Sequence, residues 1–220
     1  MANAPTTASA AETIADLLAR LGDVPADRVR LRPWPGTATE TDVLAIRQRE
    51  RRLFELVDGT LVEKAVGIRE SFFAWVLGVH LGNYLAAHDL GICLGADGMM
   101  RIAPGLVRIP DLAFISWDRL PNHEVPKTPI PRLAPDLAVE VISKGNTKRE
   151  MERKLREYVE AGVLVAWFVY PKTRTIIVHS GPGQSTTLAE DQSLDGGAVL
   201  PGFVLPVRDL FDRAERRPGP

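Results

Sequence analysis

Two acidic residues lie inside apolar runs that otherwise predict buried β-strands. Asp111 falls within the strand predicted over residues 108–116, and Glu140 within the strand predicted over residues 136–143. An ionised carboxylate is rarely buried without a partner, because removing it from water costs several kcal/mol. The chain must therefore fold so that each carboxylate meets a cation, which can be a lysine, an arginine or a metal ion.

A lysine in the next predicted helix supplies one such cation. Asn146 or Thr147 can cap a helix that runs to about residue 161, where a glycine ends it. At about 100° per residue, Lys154 falls on the same side of this helix as Met151 and Tyr158, while its charged neighbours point outward. Since the helix directly follows the Glu140 strand, we expect Lys154 to reach back toward that carboxylate.

Two strand-borne carboxylates and an inward lysine suit the hydrolysis of a phosphodiester. Carboxylate oxygens bind hard cations such as Mg²⁺ or Mn²⁺. Such an ion lowers the pKa of a bound water and neutralises charge that develops on a phosphate. A lysine can orient the attacking water and stabilise the transition state electrostatically. The residues alone leave a second interpretation open, in which Asp111 and Glu140 are structural carboxylates paired within the chain.

Length and charge limit the possibilities further. The 220 residues suffice for one domain with additions or two small domains, and 45% hydrophobic residues allow a sizeable core. The formal net charge is −1, so the chain has no overall electrostatic attraction for nucleic acid. Any contact with a nucleic acid must come from a local basic patch or from bound metal ions.

The compartment is predicted to be a reducing cytoplasm. No apolar stretch approaches the roughly 20 residues that span a membrane, and the first residues carry neither a basic segment nor a compact apolar one. Cys93 is the one cysteine and lies in an apolar run, so an intrachain disulfide is excluded and a core position is expected.

The order of predicted elements indicates an α/β fold with a mixed sheet and helices packed against it. Asp58-Gly59 between two β-rich runs predicts a tight hairpin over residues 53–63. Helices are predicted over residues 10–21, 71–88 and 147–161. Further strands are predicted over residues 91–94, 98–103, 163–170 and 175–179, with more β structure within 181–207. A long proline-rich loop is expected over residues 117–135.

Several of these segments together resemble a known family. The runs RIPDLAFIS, APDLAVEVIS and KLREYVEAGVLVAWFVYP are similar to the Uma-type family of restriction endonucleases, a branch of the PD-(D/E)XK nuclease superfamily. FELVDGTLVE resembles the opening hairpin of that family, and LPGFVLPVRDLF resembles its C-terminal segment. The resemblance covers residues 52–212, which leaves residues 1–51 as an N-terminal extension with a short helix and 213–220 as a tail.

The resemblance implies a restriction-endonuclease-like core, with a central mixed β-sheet flanked by helices. It assigns Asp111 and Glu140 as metal ligands for Mg²⁺ or Mn²⁺, and DNA as the substrate. The superfamily usually places its lysine two residues after the second acid, where this chain has Ile142. The Uma-type branch moves the lysine to the next helix, which agrees with Lys154. A homodimer is compatible with the resemblance, since many restriction-type nucleases cut the two strands as pairs.

Other residues are weaker candidates. Family members often carry a histidine near the start of the first core helix; this chain has none there, and Glu70 can take the acidic role that some superfamily members place on this helix. An ordinary glutamate at a helix start explains Glu70 equally. Glu55 and Glu63 fit solvent-facing strand positions, and Asp136 a strand start. Ser143 fits a loop start. A basic cluster follows the Glu140 strand and comprises Lys144, Lys148 and Arg149. This cluster is either a phosphate contact or a solvated helix face.

Three hypotheses follow for the function. The first is an endonuclease that hydrolyses DNA through a metal-activated water, with Asp111 and Glu140 on the metal and Lys154 supporting the water. The second is a nuclease-like fold used for binding or regulation without catalysis. The third is an enzyme of the same fold that acts on another phosphoryl substrate, because a fold does not fix a function.

Overall fold

A computed structural model describes residues 13–65 and 67–215 of the chain. Its helices are α1 (Ile14–Arg20), α2 (Glu40–Glu50), α3 (Ile68–Ala87), α4 (Lys148–Glu160) and α5 (Val207–Glu215). The predicted helix over residues 10–21 corresponds to α1, and its first three residues lie outside the described part. Helix α3 begins three residues earlier than predicted. Helix α4 begins after Thr147, one of the two capping residues that the sequence predicts. The side chains of Thr147 and Glu150 form a reciprocal cap.

The strands form two larger sheets and one small ladder. In chain order, they are β1 (Val29–Arg30), β2 (Phe54–Val57), β3 (Thr60–Glu63), β4 (Gly91–Leu94), β5 (Met100–Ala103), β6 (Leu106–Arg108), β7 (Leu112–Ser116), β8 (Leu137–Val141), β9 (Val165–Tyr170), β10 (Thr175–Gly181), β11 (Gln184–Leu188), β12 (Ser193–Asp195) and β13 (Val204–Pro206). One sheet has the order β1-β3-β2-β6-β5, and the central sheet has the order β11-β10-β9-β8-β7-β4.

The central sheet is mixed and has helices on both faces, which confirms the predicted fold class. Strands β8 and β9 are parallel and are joined through α4, whereas the other described pairs in this sheet are antiparallel. Side chains of α3 and α5 pack on one face, in a core that includes Val139, Trp167 and Phe211. Helix α4 covers the other face with Met151 and Tyr158. The alternation of side chains along β8 therefore directs Glu140 toward α4.

The strand predicted over residues 108–116 is divided between the two sheets. Strand β6 pairs with β2 and β5, whereas β7 pairs with β4 and β8. Pro110 lies between them and has no N–H to donate to a ladder, so a continuous strand would lose a hydrogen bond there. The chain changes sheets at this proline, and Asp111 lies at the junction.

The N-terminal segment packs onto the five-stranded sheet. Strand β1 pairs with β3, and buried apolar side chains of α1 and α2 include Leu17, Val43 and Ile46. The division at residue 52 remains a prediction. Within the proline-rich segment, short 3₁₀ turns form at Trp117–Arg119 and Pro121–His123, and the buried side chains of Leu120 and Ile130 anchor it.

Within the described residues, no helix is long and apolar enough to cross a membrane. Burial raises the pKa of the Cys93 thiol to about 11, so this side chain is protonated near neutral pH. A thiol with so high a pKa is a poor nucleophile, which agrees with the expected packing role.

Candidate active site

Asp111 lies one residue beyond Leu112–Val139, the last pair of the β7–β8 ladder, so the register continued by one step places Asp111 opposite Glu140. The Asp111 backbone N–H donates to the Val139 carbonyl at 2.9 Å, and the Val141 N–H donates to Asp111 Oδ2 at 2.7 Å. These two bonds flank Glu140 on the neighbouring strand. Opposed residues of an antiparallel pair have Cβ atoms about 4.5–5.5 Å apart, so the sheet itself brings the two carboxylates together.

Lys154 reaches Glu140 from α4, as the helical pattern indicates. Its Nζ lies 3.0 Å from Glu140 Oε1, and the Tyr158 hydroxyl donates to the same oxygen at 2.6 Å. Lysine and tyrosine are four residues apart, so they stand on one face of the helix. All three side chains are nearly fully buried. Glu140 is thus held through one oxygen, and Oε2 accepts no hydrogen bond from the described residues.

Glu55 is the main correction to the sequence interpretation, which placed it at a solvent-facing position of the hairpin. Its exposure is 0%, because both faces of β2 are covered. Its Oε1 lies 3.2 Å from Lys154 Nζ and accepts the Ile109 N–H at 3.1 Å. Its Oε2 accepts from the Arg108 guanidinium at 2.6 Å. Lys154 therefore lies between two buried glutamates, one from each sheet.

The buried charges continue outward from Glu55 as an alternating chain. Arg108 donates to both Glu55 and Glu157, the latter on α4. Arg153 donates to Glu157 at 2.7 Å and to Asp58, at the hairpin turn, at 2.9 Å. A buried ion pair tolerates its desolvation only when geometry and further hydrogen bonds compensate. This chain of pairs joins α4 to the five-stranded sheet and fixes where Lys154 stands.

A second lysine approaches Asp111 from the end of β3. Lys64 Nζ lies 3.0 Å from Asp111 Oδ1 and donates to the Ala96 and Pro110 carbonyls at 3.1 Å. Its side chain is only 3% exposed, whereas that of Asp111 is 15% exposed. Each carboxylate of the opposed pair therefore carries one lysine, and Asp111 is the one that solvent reaches more readily.

The two glutamates on Lys154 have opposite pKa shifts. Burial raises the pKa of Glu140; Lys154 offsets this in part, while the negative charges of Asp111 and Glu55 raise it further. Burial also acts to raise the pKa of Glu55, but the positive charges of Lys154 and Arg108 outweigh it and hold the pKa at about 2. Burial lowers the pKa of Lys154, but the two glutamates outweigh it and the net shift is upward. Lys154 is a permanent cation near neutral pH.

The donor set fits a hard divalent ion. Asp111 and Glu140 offer only oxygen, and Glu140 Oε2 has no competing hydrogen bond from the described chain. Mg²⁺ keeps several waters and usually takes one or two carboxylates together with substrate phosphates. A third acidic or imidazole ligand does not join the pair, since no group of three or more histidines, cysteines or acids suited to a metal occurs in the described residues.

The remaining sequence candidates lie elsewhere or serve the local structure. Glu70 folds back over Gly67 at the start of α3, with Oε2 2.0 Å from where a Cβ on that glycine would lie; its catalytic role stays a prediction. Ser143 donates to Asn146 and stabilises the loop before α4. Glu63 pairs with Arg52 on the surface.

The sequence interpretation missed Glu55, Lys64 and Arg108 as members of the site. The hairpin run predicts a half-exposed strand, and only the packing of a second sheet against α4 buries Glu55. Lys64 directly follows β3, and nothing near it in sequence reveals the main-chain carbonyls that receive its ammonium group. The available signal was the number of charged residues within β-rich runs, including Arg108 just before the Pro-Asp pair.

The fold and site define a nuclease-like α/β protein with an opposed pair of strand carboxylates and a buried lysine. Residues 40–208 match the model of the Uma2 family, described as "Putative restriction endonuclease". The match covers well over half of the chain, so the protein belongs to this family, as the sequence resemblance predicts. No curated protein matches the sequence.

A solved structure gives the same fold. The protein is similar to a crystal structure of "a putative nuclease belonging to DUF820" from Anabaena variabilis, with a TM-score of 0.67 and 16% sequence identity. The likeness covers 74% of this chain and 92% of the other. At this identity the likeness shows the fold alone. The family and the fold together support a nuclease.

Proposed function

We propose that this protein is a divalent-metal-dependent endonuclease that hydrolyses phosphodiester bonds in DNA. The observation that carries the proposal is the opposition of Asp111 and Glu140 across two strands, with Lys154 on Glu140. The family to which the chain belongs supports DNA as the substrate. A catalytic role for Glu70, a homodimeric state and a cytoplasmic location belong to the same proposal.

Asp111 and Glu140 are the residues that would hold Mg²⁺ or Mn²⁺. When bound, such an ion supplies an activated water and neutralises charge on the phosphate. Before binding, burial and the neighbouring acids raise the pKa of Glu140, so its charged form is disfavoured. A cation beside Glu140 favours the charged form, so a bound metal would act against this upward shift.

Lys154 acts as a fixed positive charge and not as a base. Its pKa is raised, so it keeps its proton, and its ammonium orients Glu140 through a 3.0 Å contact. A charge preorganised in a dry site stabilises developing negative charge more strongly than the same charge in water. Glu55 and Arg108 are positioning residues, because they act on the reaction only through the placement of Lys154.

Contacts to the phosphate backbone are proposed for the loop and helix start that follow Glu140. Lys144 is exposed, and the Lys148 side chain is 91% exposed with only a 3.7 Å contact to Glu152. Arg149 instead pairs with Asp23 at 2.8 Å. The net charge of the chain is −1 and does not attract DNA. Lysines near the site supply local positive charge for phosphate contacts.

One observation favours a second function, which is a nuclease fold that binds without catalysis. Both carboxylates already contact lysines, Asp111 with Lys64 and Glu140 with Lys154, each at 3.0 Å. Internal cations can satisfy the charge of a carboxylate pair without any metal. The two functions differ in whether a divalent ion binds and whether DNA is cut.

The test compares divalent-ion binding and DNA cleavage in three forms of the full chain. Mn²⁺ and Mg²⁺ binding is measured by calorimetry for the wild type, Glu140→Gln and the control Glu152→Gln. Glu152 lies on α4 with a side chain 51% exposed, so the control removes the same charge outside the site. Plasmid cleavage is assayed on the same samples, and thermal unfolding checks that each variant folds.

The proposal expects metal binding and cleavage in the wild type and the control, and loss of both in Glu140→Gln. Metal binding without cleavage of any DNA form would reject DNA hydrolysis while retaining the metal site. An absence of metal binding in the folded wild type, with or without DNA, would overturn the metal-dependent mechanism and favour the binding function.

A further inference from the structure

Helix α3 is apolar on two opposite faces. One face carries Phe73, Leu77 and Leu81, which are nearly fully buried against the central sheet and α5. The opposite face carries a second apolar set at spacings of four and three residues, here called the outer stripe: Ile68, Phe72, Trp75, Val79, Gly82 and Ala86. A helix on a protein surface normally presents polar residues outward, so the outer stripe is unusual.

The largest members of the outer stripe are exposed. Ile68 is 94% exposed, Trp75 is 57% exposed and Phe72 is 44% exposed. The rings of Phe72 and Trp75 stack with centroids 5.9 Å apart. These three side chains present roughly 400 Å² of apolar surface, on the usual areas of large apolar side chains, which is about half of what one partner of a standard interface buries. No charged residue interrupts the stripe over its length.

The spacing of the outer stripe is that of a seam between two packed helices. Its positions alternate as the first and fourth members of successive heptads, the pattern that places side chains into holes on a facing helix. The sizes of the side chains change along the helix. Large residues occupy the N-terminal half of the stripe, and small residues occupy the C-terminal half.

This gradient makes the outer stripe complementary to itself in the antiparallel direction. A two-fold axis near the middle of α3 places Phe72 of one copy over Gly82 of the other, with Ile68 over Ala86 and Trp75 beside Val79. A Cβ on Gly82 would meet no atom within 4 Å, so the space above it is open. A two-fold interface must match a surface to itself, and large residues against small ones satisfy that condition.

We propose that the outer stripe binds a second copy of this chain, forming a two-fold dimer through antiparallel α3 helices. The self-complementary order of sizes selects a second copy over an unrelated partner. An uncharged apolar patch of several hundred Å² on a protein surface marks an interaction site. It rests on the homodimeric state within the proposed function, for which it identifies the surface, but not on the chemistry at Asp111 and Glu140.

Gly82→Leu is the decisive variant, because it distinguishes specific packing from non-specific hydrophobic association. Leucine at this position fills the hole for Phe72 of the other copy, so the dimer should dissociate although the surface becomes more apolar. Removing a glycine from a helix also favours the helical backbone, so the monomer remains folded. Phe72→Ala combined with Gly82→Leu moves the large residue across the interface and should restore association.

The oligomeric state of the full chain is measured by sedimentation velocity over a range of concentrations. The wild type should be a dimer, Gly82→Leu should weaken dimerisation at least about tenfold, and the double variant should recover it. Gly95→Leu is the matched control, since Gly95 lies in the turn after β4 and also has no atom within 4 Å of an added Cβ. Circular dichroism verifies that each variant is folded.

Two results would overturn the proposal. A wild type that stays monomeric at all concentrations would mean that the stripe meets another partner or none. A dimer that Gly82→Leu leaves unchanged or strengthens would place the interface elsewhere or reduce it to unspecific association.

Discussion

The ladder between β7 and β8 has an aspartate at each end, and the two are bonded almost identically. Asp111 and Asp136 each follow a proline, and each donates its N–H to a carbonyl of the facing strand at 2.9 Å. Each carboxylate accepts a facing N–H at 2.7 Å through Oδ2 and meets a cation through Oδ1, which is Lys64 for Asp111 and Arg119 for Asp136.

The difference between the two ends lies in the facing residue. Continued by one residue at each end, the register places Asp111 opposite Glu140 and Ile115 opposite Asp136. The pairing of an aspartate with a strand N–H and a nearby cation is therefore a structural device at the start of a strand. What makes one end a candidate site is a second carboxylate across the ladder, together with the lysine and the buried glutamate beneath it.

The largest expected effect separates the two ends directly. Asp111→Asn should abolish detectable Mn²⁺ binding and lower cleavage by about 10³-fold or more, because a metal contributes several kcal/mol to transition-state stabilisation and each 1.4 kcal/mol is about tenfold. Asp136→Asn should leave both unchanged in the folded protein. Calorimetry and initial cleavage rates measure the two effects, and equal losses in both variants would refute the distinction.

Next in size is the effect of Glu55 on stability. Its folded pKa of about 2 lies below the ordinary 4.5, so its charge stabilises the fold above pH 4.5, and this contribution is lost as the pH falls toward 2. Removing one partner of a buried ion pair typically costs about 3–5 kcal/mol. Glu55→Gln should therefore lower the free energy of unfolding by about that amount near neutral pH, as measured by urea unfolding.

The pH dependence provides the control for Glu55→Gln. Between about pH 4.5 and 2, the variant should lose less stability than the wild type, because the titrating carboxyl is gone. The pKa of Glu140 is shifted upward, so Glu140→Gln should not reduce the loss of unfolding free energy between about pH 4.5 and 2. If the wild type and Glu55→Gln lose the same unfolding free energy over this pH range, the lowered pKa does not belong to Glu55.

Sequence patterns located the Asp111 end of the ladder only in part. Glu140 and Lys154 were predictable, because charged residues on apolar faces indicate buried pairing. The sequence interpretation distinguished Asp111 from Asp136 by placing Asp111 inside a strand and Asp136 at a strand start. The structure does not support this distinction, since both residues directly precede their strands. Glu55 escaped prediction because the rule of alternating faces assumes that one side of a strand meets water, and here a second sheet and α4 cover both sides.

A smaller effect concerns the stability of the other end. Asp136 is 6% exposed, and it holds Arg119 at 2.6 Å and the Ser116 N–H at 2.7 Å. Asp136→Asn weakens both contacts, so we expect a loss of about 2 kcal/mol in the free energy of unfolding. Thermal and urea unfolding measure it. A variant as stable as the wild type would show that the bonds at this end contribute little.

The smallest expected effect concerns Lys64, which contacts Asp111 as Arg119 contacts Asp136 at the other end of the ladder. Its ammonium occupies Asp111 Oδ1 at 3.0 Å, and a divalent ion that uses this oxygen must compete with it or tolerate its repulsion. Lys64→Met removes the competing charge at similar side-chain length. Mn²⁺ affinity should rise about tenfold, equivalent to about 1.4 kcal/mol, with calorimetry as the measurement. A fall in affinity would mean that Lys64 orients Asp111 for the metal and so assists the site.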